Sequence, residues 1–119
     1  MYSNVCDIVA VGECAVGGKT SLINRFVENK FVDIQIAIIG WDLKSKVLYI
    51  NEINKDIRLD ICDTSGHEMY RWLTAIFIKD ANAIILAYDI IRRDTFTKIK
   101  SIWYSHVKKN CVKDPSKIL

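Results

Sequence analysis

The chain has 119 residues, of which 50% are hydrophobic and 26% charged, with a net charge of +3; that is one small globular domain with an ordinary core. The mild positive charge, with no basic cluster interleaved with aromatics, argues against a nucleic-acid polymer as partner. No apolar run approaches the roughly 18 residues of a membrane span, and the sequence leads us to expect no signal peptide.

An apolar run of Val5, Ile8, Val9, Ala10 and Val11 stops at Gly12, passes a glycine-rich loop and resumes as Thr20-Ser21-Leu22-Ile23. This reads as a buried strand, a phosphate-cradling loop and the first turn of a helix. Consecutive backbone N–H groups of such a loop point into a concave nest, the helix N-terminus adds partial positive charge, and glycines let the backbone approach the oxygens. Lys19 would neutralise β- and γ-phosphate charge, and the Thr20 hydroxyl would complete a Mg²⁺ shell. The stretch from Gly12 to Lys19 is one residue longer than the pattern G-x-x-x-x-G-K, so either Gly17 or Gly18 is an addition. A glycine-rich strand-to-helix turn that binds nothing is the other reading of this segment.

Further along, Leu22, Ile23, Phe26 and Val27 recur at helical spacing through Glu28, and Asn29 to Gly40 is an irregular, unusually apolar connection. From Trp41 the period is two, with Trp41, Leu43, Val47 and Tyr49 on one face and Asp42, Lys44 and Lys46 on the other. Asn51 to Asn54 supply turn residues, and Ile57, Leu59 and Ile61 complete a hairpin. Asp63-Thr64-Ser65-Gly66 breaks the strand. A short helix is expected on Met69, Leu73, Ile76 and Phe77, then a parallel strand in the continuous apolar run Ala83 to Tyr88. Asp94 is placed to cap a helix whose buried stripe is Phe96, Ile99, Trp103 and Val107. Pro115 ends that region, and Lys117-Ile118-Leu119 opens another strand while offering no cysteine for prenylation. Cys6, Cys14, Cys62 and Cys111 form no Cys-x-x-Cys pair, which suits reduced thiols in a reducing compartment.

Strand, phosphate loop, helix, hairpin, Asp-x-x-Gly, helix, strand, helix is the order of a doubly wound α/β domain with phosphate at the strand ends. There Asp63 would hold Mg²⁺ through water, and Gly66 would place a bare backbone N–H where a γ-phosphate sits. A plain loop at Asp63 to Gly66 is the alternative.

At this point the chain resembles a small GTPase of the Ras superfamily, of the Rab type. Val11-Gly12-Glu13 through Lys19-Thr20-Ser21-Leu22 resembles the phosphate loop, including Ala15, Val16, Gly17 and Gly18. Ile39 to Lys44 resembles the segment after switch I, Arg58 to Glu68 the strand and switch II, and Leu86 to Ile90 with Thr95-Phe96 the fourth strand and following helix. The resemblance implies a three-layer α/β P-loop NTPase G domain with a mostly parallel sheet over residues 1–119, truncated after the third helix and incomplete at the C-terminus. It implies GTP/GDP and Mg²⁺ as cofactors, with Lys19 and His67 in catalytic positions and Thr20 and Asp63 at the metal. Exchange factors, activating proteins and effectors are the implied partners. The implied location is cytoplasmic, and peripheral at vesicle membranes through partners.

Departures from the family fall on working parts. The loop carries its extra glycine, and Ile38 stands where the switch I threonine belongs. His67 replaces the glutamine that orients attacking water, and imidazole lacks the flat donor–acceptor pair of an amide. The aromatic trio that reads effectors falls on Leu43, Cys62 and Phe77, so one ring survives. The chain ends before the Asn-Lys-x-Asp segment that reads guanine, a loss worth about 3–6 kcal/mol of nucleotide binding for two charge-assisted bonds. The expectation is therefore a Rab-type switch with weak or absent turnover. The alternative is a relative that does not cycle nucleotide and acts as an interaction module occupying regulators. A nucleotide kinase is disfavoured, because Asp63 to Glu68 matches a switch II segment and no second substrate lid is present.

Overall fold

The computed structural model describes residues 4–13, 18–31 and 40–111. Strand β1 (Val5–Gly12) leads to helix α1 (Lys19–Glu28), then to the hairpin strands β2 (Trp41–Ile50) and β3 (Lys55–Thr64). A 3₁₀ turn (Glu68–Tyr70) opens helix α2 (Arg71–Asp80), and strand β4 (Ala83–Ala87) follows. The last rod is α3 (Arg93–Lys98), a π-helical turn (Ile99–Trp103) and α4 (Tyr104–Asn110) without a break. Ile38, Ile39, Cys14 and the Pro115 to Leu119 region lie outside the described residues.

The sheet order is β2-β3-β1-β4, with β1 parallel to β3 and β4 and β2 antiparallel to β3. Two of the three pairings are parallel, as the doubly wound order requires. Reciprocal bonds fasten the start of β4 to β1: Asp7 N–H donates to Asn82 Oδ1, and Asn82 N–H donates to the Asp7 carbonyl, both at 2.8 Å. The layers follow from alternation along β1. Val9 and Val11 face one way and join Cys62, Ile78, Ile84, Trp103 and Val107 under α2 and the last rod. Ala10 faces the other way and joins Ile23 and Ile61 under α1.

Several sequence expectations are corrected here. The apolar face of β2 is real but outward: Trp41, Leu43, Val47 and Tyr49 are 45–56% exposed, because α2 and the last rod lie over β1 and β4 and α2 meets β2 at its start, Phe77 against Trp41. The opposite face meets α1, and Lys46 lays its stem there with Nζ on the Phe26 carbonyl at 2.6 Å and 4.8 Å from the Phe26 ring centre. On α1 Ile23 is the apolar residue that is buried, while Leu22 is exposed. On α2 the buried positions are Thr74 and Ile78, and Met69 and Ile76 face outward. Strand β3 runs through Asp63 and Thr64 rather than breaking before them.

Asp94 does not cap α3. Arg92 occupies that position without a side-chain cap, and Asp94 pairs with its guanidinium at 3.3 Å. Thr95 ties the turn instead, its hydroxyl donating to the Arg92 carbonyl at 2.7 Å and accepting from Asp89 N–H at 2.9 Å. The buried stripe of the rod is Thr95, Ile99, Trp103, Val107 and Cys111, a strict four-residue repeat. An α-helix turns 3.6 residues per revolution, so such a stripe would drift around the rod by about 40° per step. The wide π turn at Ile99–Trp103 takes up that drift and keeps the stripe against the sheet.

Candidate functional site

The carboxyl ends of β1 and β3 lie side by side, Ala10 paired with Asp63, and α1 begins beside them. Three side chains converge there. Lys19 Nζ donates to the Thr64 carbonyl and lies 3.5 Å from Asp63 Oδ1. Thr20 Oγ1 donates to Asp63 Oδ2 at 2.6 Å. Asp63 is fully buried and Lys19 nearly so, at 0% and 7% exposure. The carboxylate is held by strand geometry: Thr64, its neighbour, anchors β3 to β1 through Oγ1 to the Ala10 carbonyl at 2.7 Å.

The first turn of α1 contains no acidic residue, and Gly18 caps it without a side chain, its carbonyl accepting from Leu22 N–H at 2.7 Å. The partial positive charge of the helix start favours an anion there, and no side chain of the turn itself supplies one. Gly12 has a second reason to be glycine: a Cβ there would lie 2.4 Å from the Ala87 carbonyl oxygen of β4. Ser21 sits in the same first turn and is half-buried. Ala15, Val16 and Gly17 lie outside the described residues.

Gly66 is buried two residues past the end of β3, and His67 next to it is exposed. His67 is committed locally. Its Nδ1 accepts from Met69 N–H at 3.2 Å and caps the 3₁₀ turn, and its own N–H donates to Ser65 Oγ at 3.2 Å. Only Nε2 is left to meet water. Ser65 N–H donates to the Gly40 carbonyl at 3.0 Å, so the end of β3 is also tied to the start of β2, where Gly40 takes φ +82°.

A Mg²⁺ ion fits this donor set. Asp63 Oδ1 is buried and makes no hydrogen bond, and the Thr20 hydroxyl stands beside the same carboxylate. Hard oxygen donors of this kind, one anionic and one neutral, suit Mg²⁺ alongside phosphate and water.

A second feature lies on the outward face of the sheet. A cavity of about 360 Å³ between β2, β3, β1 and α2 is lined by Val9, Trp41, Leu43, Cys62, Ile76 and Phe77, among others. The rings of Trp41 and Phe77 meet there at 5.2 Å. Trp41 stands opposite α2 because of the hairpin register, so two aromatic rings line this cavity. The Cys62 thiol is pushed up to about 12, by burial first and by the neighbouring Asp63 charge second.

A Ras family model matches residues 7–119. The chain belongs to the Ras family. Its relatives are of Rab type: it is 39% identical to Ras-related protein RABC1 of Arabidopsis thaliana over 94% of this chain and 53% of the relative. It is also 38% identical to Ras-related protein SEC4 of Saccharomyces cerevisiae over 92% of this chain and 49% of the relative. Ras-related protein Rab-1D of Dictyostelium discoideum is 35% identical over 94% of this chain and 53% of its own length. The chain thus spans about half the length of the curated relatives it matches. No helix among the described residues is long and apolar enough to cross a membrane.

Proposed function

We propose that this Rab-type chain is a guanine-nucleotide-binding switch of vesicle traffic, working at the cytoplasmic side of vesicle membranes through protein partners. The observation that carries the reading is the meeting of Lys19, Thr20 and Asp63 at the ends of β1 and β3, beside a helix start with no acidic residue. Lys19, freed from Thr64, reaches the β- and γ-phosphates, while Gly12, Gly18, Ser21 and the loop residues Ala15, Val16 and Gly17 cradle the phosphate chain with backbone N–H groups. Thr20 and Asp63 hold Mg²⁺, and Gly66 presents a backbone N–H to the γ-phosphate. Bound there, Mg²⁺ would neutralise charge shared between the β- and γ-oxygens.

His67 occupies the water-positioning place with Nε2 alone, because Nδ1 serves the 3₁₀ turn. Unaided hydrolysis is therefore slow or absent. Partner contact falls to the outward apolar face of β2 with α2, where Trp41, Leu43, Trp72 and Ile76 are exposed. Exchange factors, activating proteins and effectors are the partner classes that such a switch needs.

The nucleotide content of the purified protein and calorimetry with GTP, GDP and ATP in Mg²⁺ test the reading. Binding of GTP and GDP that depends on Lys19 supports it. Absence of any nucleotide binding overturns it and leaves an interaction module that acts through the apolar face.

A further inference from the structure

Glu13 is the first residue after β1, where the chain enters the phosphate loop. Its carboxylate is turned back onto the last helical rod. Trp103 Nε1 donates to Oε1 at 2.9 Å, and Lys98 Nζ lies 3.5 Å from Oε2, leaving the side chain 16% exposed. Trp103 itself is fully buried at the end of the π turn, with the Arg71 guanidinium of α2 5.5 Å from its ring centre. A buried indole N–H needs an acceptor, and here that acceptor is an anion.

The direction of that anion matters to the loop beside it. An anion site that uses the start of α1 and Lys19 is opposed by a carboxylate that comes close to them. We propose that Trp103 is a positioning residue for Glu13: with Lys98, its indole N–H holds the Glu13 carboxylate against the last helical rod and keeps that charge away from Lys19 and the start of α1. The π turn belongs to the device. Its extra width sets Trp103 in line with Thr95, Ile99 and Val107 against the sheet, and from there Nε1 reaches Glu13. The inference rests on the reading of this loop as a nucleotide site.

The test compares one substitution in two backgrounds of the full chain. Trp103→Phe keeps a ring in the core and removes the donor. By calorimetry with Mg²⁺ and GTP it is expected to weaken binding about tenfold when Glu13 is present. In a Glu13→Ala background, which has no charge to release, the same substitution should change affinity less than about twofold. Equal losses in both backgrounds would show that Trp103 acts through packing alone and overturn the proposal, as would no loss in either. Thermal melts of each variant separate unfolding from weakened binding, and Lys98→Ala, at a half-exposed position, supplies the same comparison should Trp103→Phe unfold.

Amide exchange of nucleotide-free protein keeps the two readings apart. If the parent chain binds no GTP, the nucleotide reading fails. Exchange at Glu13 and Gly18 still decides the positioning role, since Trp103→Phe should speed both about tenfold while Val9 and Ile23 stay unchanged. Unchanged exchange at Glu13 and Gly18 would sink the positioning role by itself.

Discussion

Thr20 Oγ1 lies 2.6 Å from Asp63 Oδ2, a hydrogen bond that spans 43 positions of sequence and joins the first turn of α1 to the end of β3. Lys19 reaches the same carboxylate from the preceding position at 3.5 Å. A carboxylate that is fully buried is tolerated only with such company. In the proposed function the partners that stabilise it are also the groups that hold the nucleotide and its metal, which would tie stability and binding to the same three side chains.

Lys19→Ala should therefore do two things. It abolishes nucleotide binding, and it leaves Asp63 buried with its cation removed, which costs about 3–5 kcal/mol. The double variant Lys19→Ala/Asp63→Ala should be markedly more stable than the sum of the two single losses. Urea denaturation of the four proteins measures that coupling. Thr20→Ala should spare most of the stability and remove the dependence of binding on Mg²⁺, and full Mg²⁺ dependence in that variant would remove Thr20 from the metal.

Gly12→Ala introduces a Cβ 2.4 Å from the Ala87 carbonyl oxygen, a backbone atom that cannot turn aside. Separating β1 from β4 there should cost roughly 1–3 kcal/mol. The loss is expected in nucleotide-free protein, which distinguishes strand packing from phosphate contact, and a thermal melt without nucleotide reads it. An unchanged melt would confine the role of Gly12 to the loop.

His106 on α4 packs edge-on against Trp103 at 6.0 Å, and its pKa is lowered from 6.5, by burial first and further by the Arg71 and Lys109 charges, despite an opposing backbone bond at Arg71. The unfolded chain then binds more protons than the folded one below the ordinary histidine value. The contribution is fully present above about pH 6.5 and is lost as pH falls from there toward the depressed folded value. His106→Gln should flatten the fall in denaturation midpoint between about pH 7 and about pH 5. An identical slope in the variant would assign the acid sensitivity to other groups.

Cys62 is buried and its thiol is pushed up to about 12, so the reactive thiolate is scarce at neutral pH. Iodoacetamide should modify it only at the rate of unfolding, read by peptide mass after timed quenching. Fast modification in the folded protein would mean that the cavity above Cys62 opens.

Val47 lies on the outward face of β2 at 45% exposure, away from α2. Val47→Lys should change stability by no more than about 0.5 kcal/mol while reducing self-association through the apolar strip. Sedimentation at several concentrations checks the second effect, and a large loss of stability would show that the strip is covered.

Much of this protein was legible in its sequence because the signals are local. The apolar run into Gly12, the period of two on either side of Asn51 to Asn54, and the order of strands and helices each depend on neighbours within one element. That Lys19, Thr20 and Asp63 come together was also legible, since strand ends and the first turn of the next helix are neighbours in an α/β order. What a periodic pattern cannot carry is which face of an element another element will cover. The β2 face with Trp41, Leu43, Val47 and Tyr49 stays half-exposed because α2 and the last rod lie over β1 and β4, a matter of layer width. The Trp41–Phe77 contact depends on hairpin register, and the assignment of Thr95 rather than Asp94 to the α3 turn depends on where Asp89 lies. Glu13 bound by Trp103 joins residues 90 positions apart, and His67 spends Nδ1 on its own turn. Each of these was decided by packing between elements, where a side chain's role is set by what the rest of the chain leaves beside it.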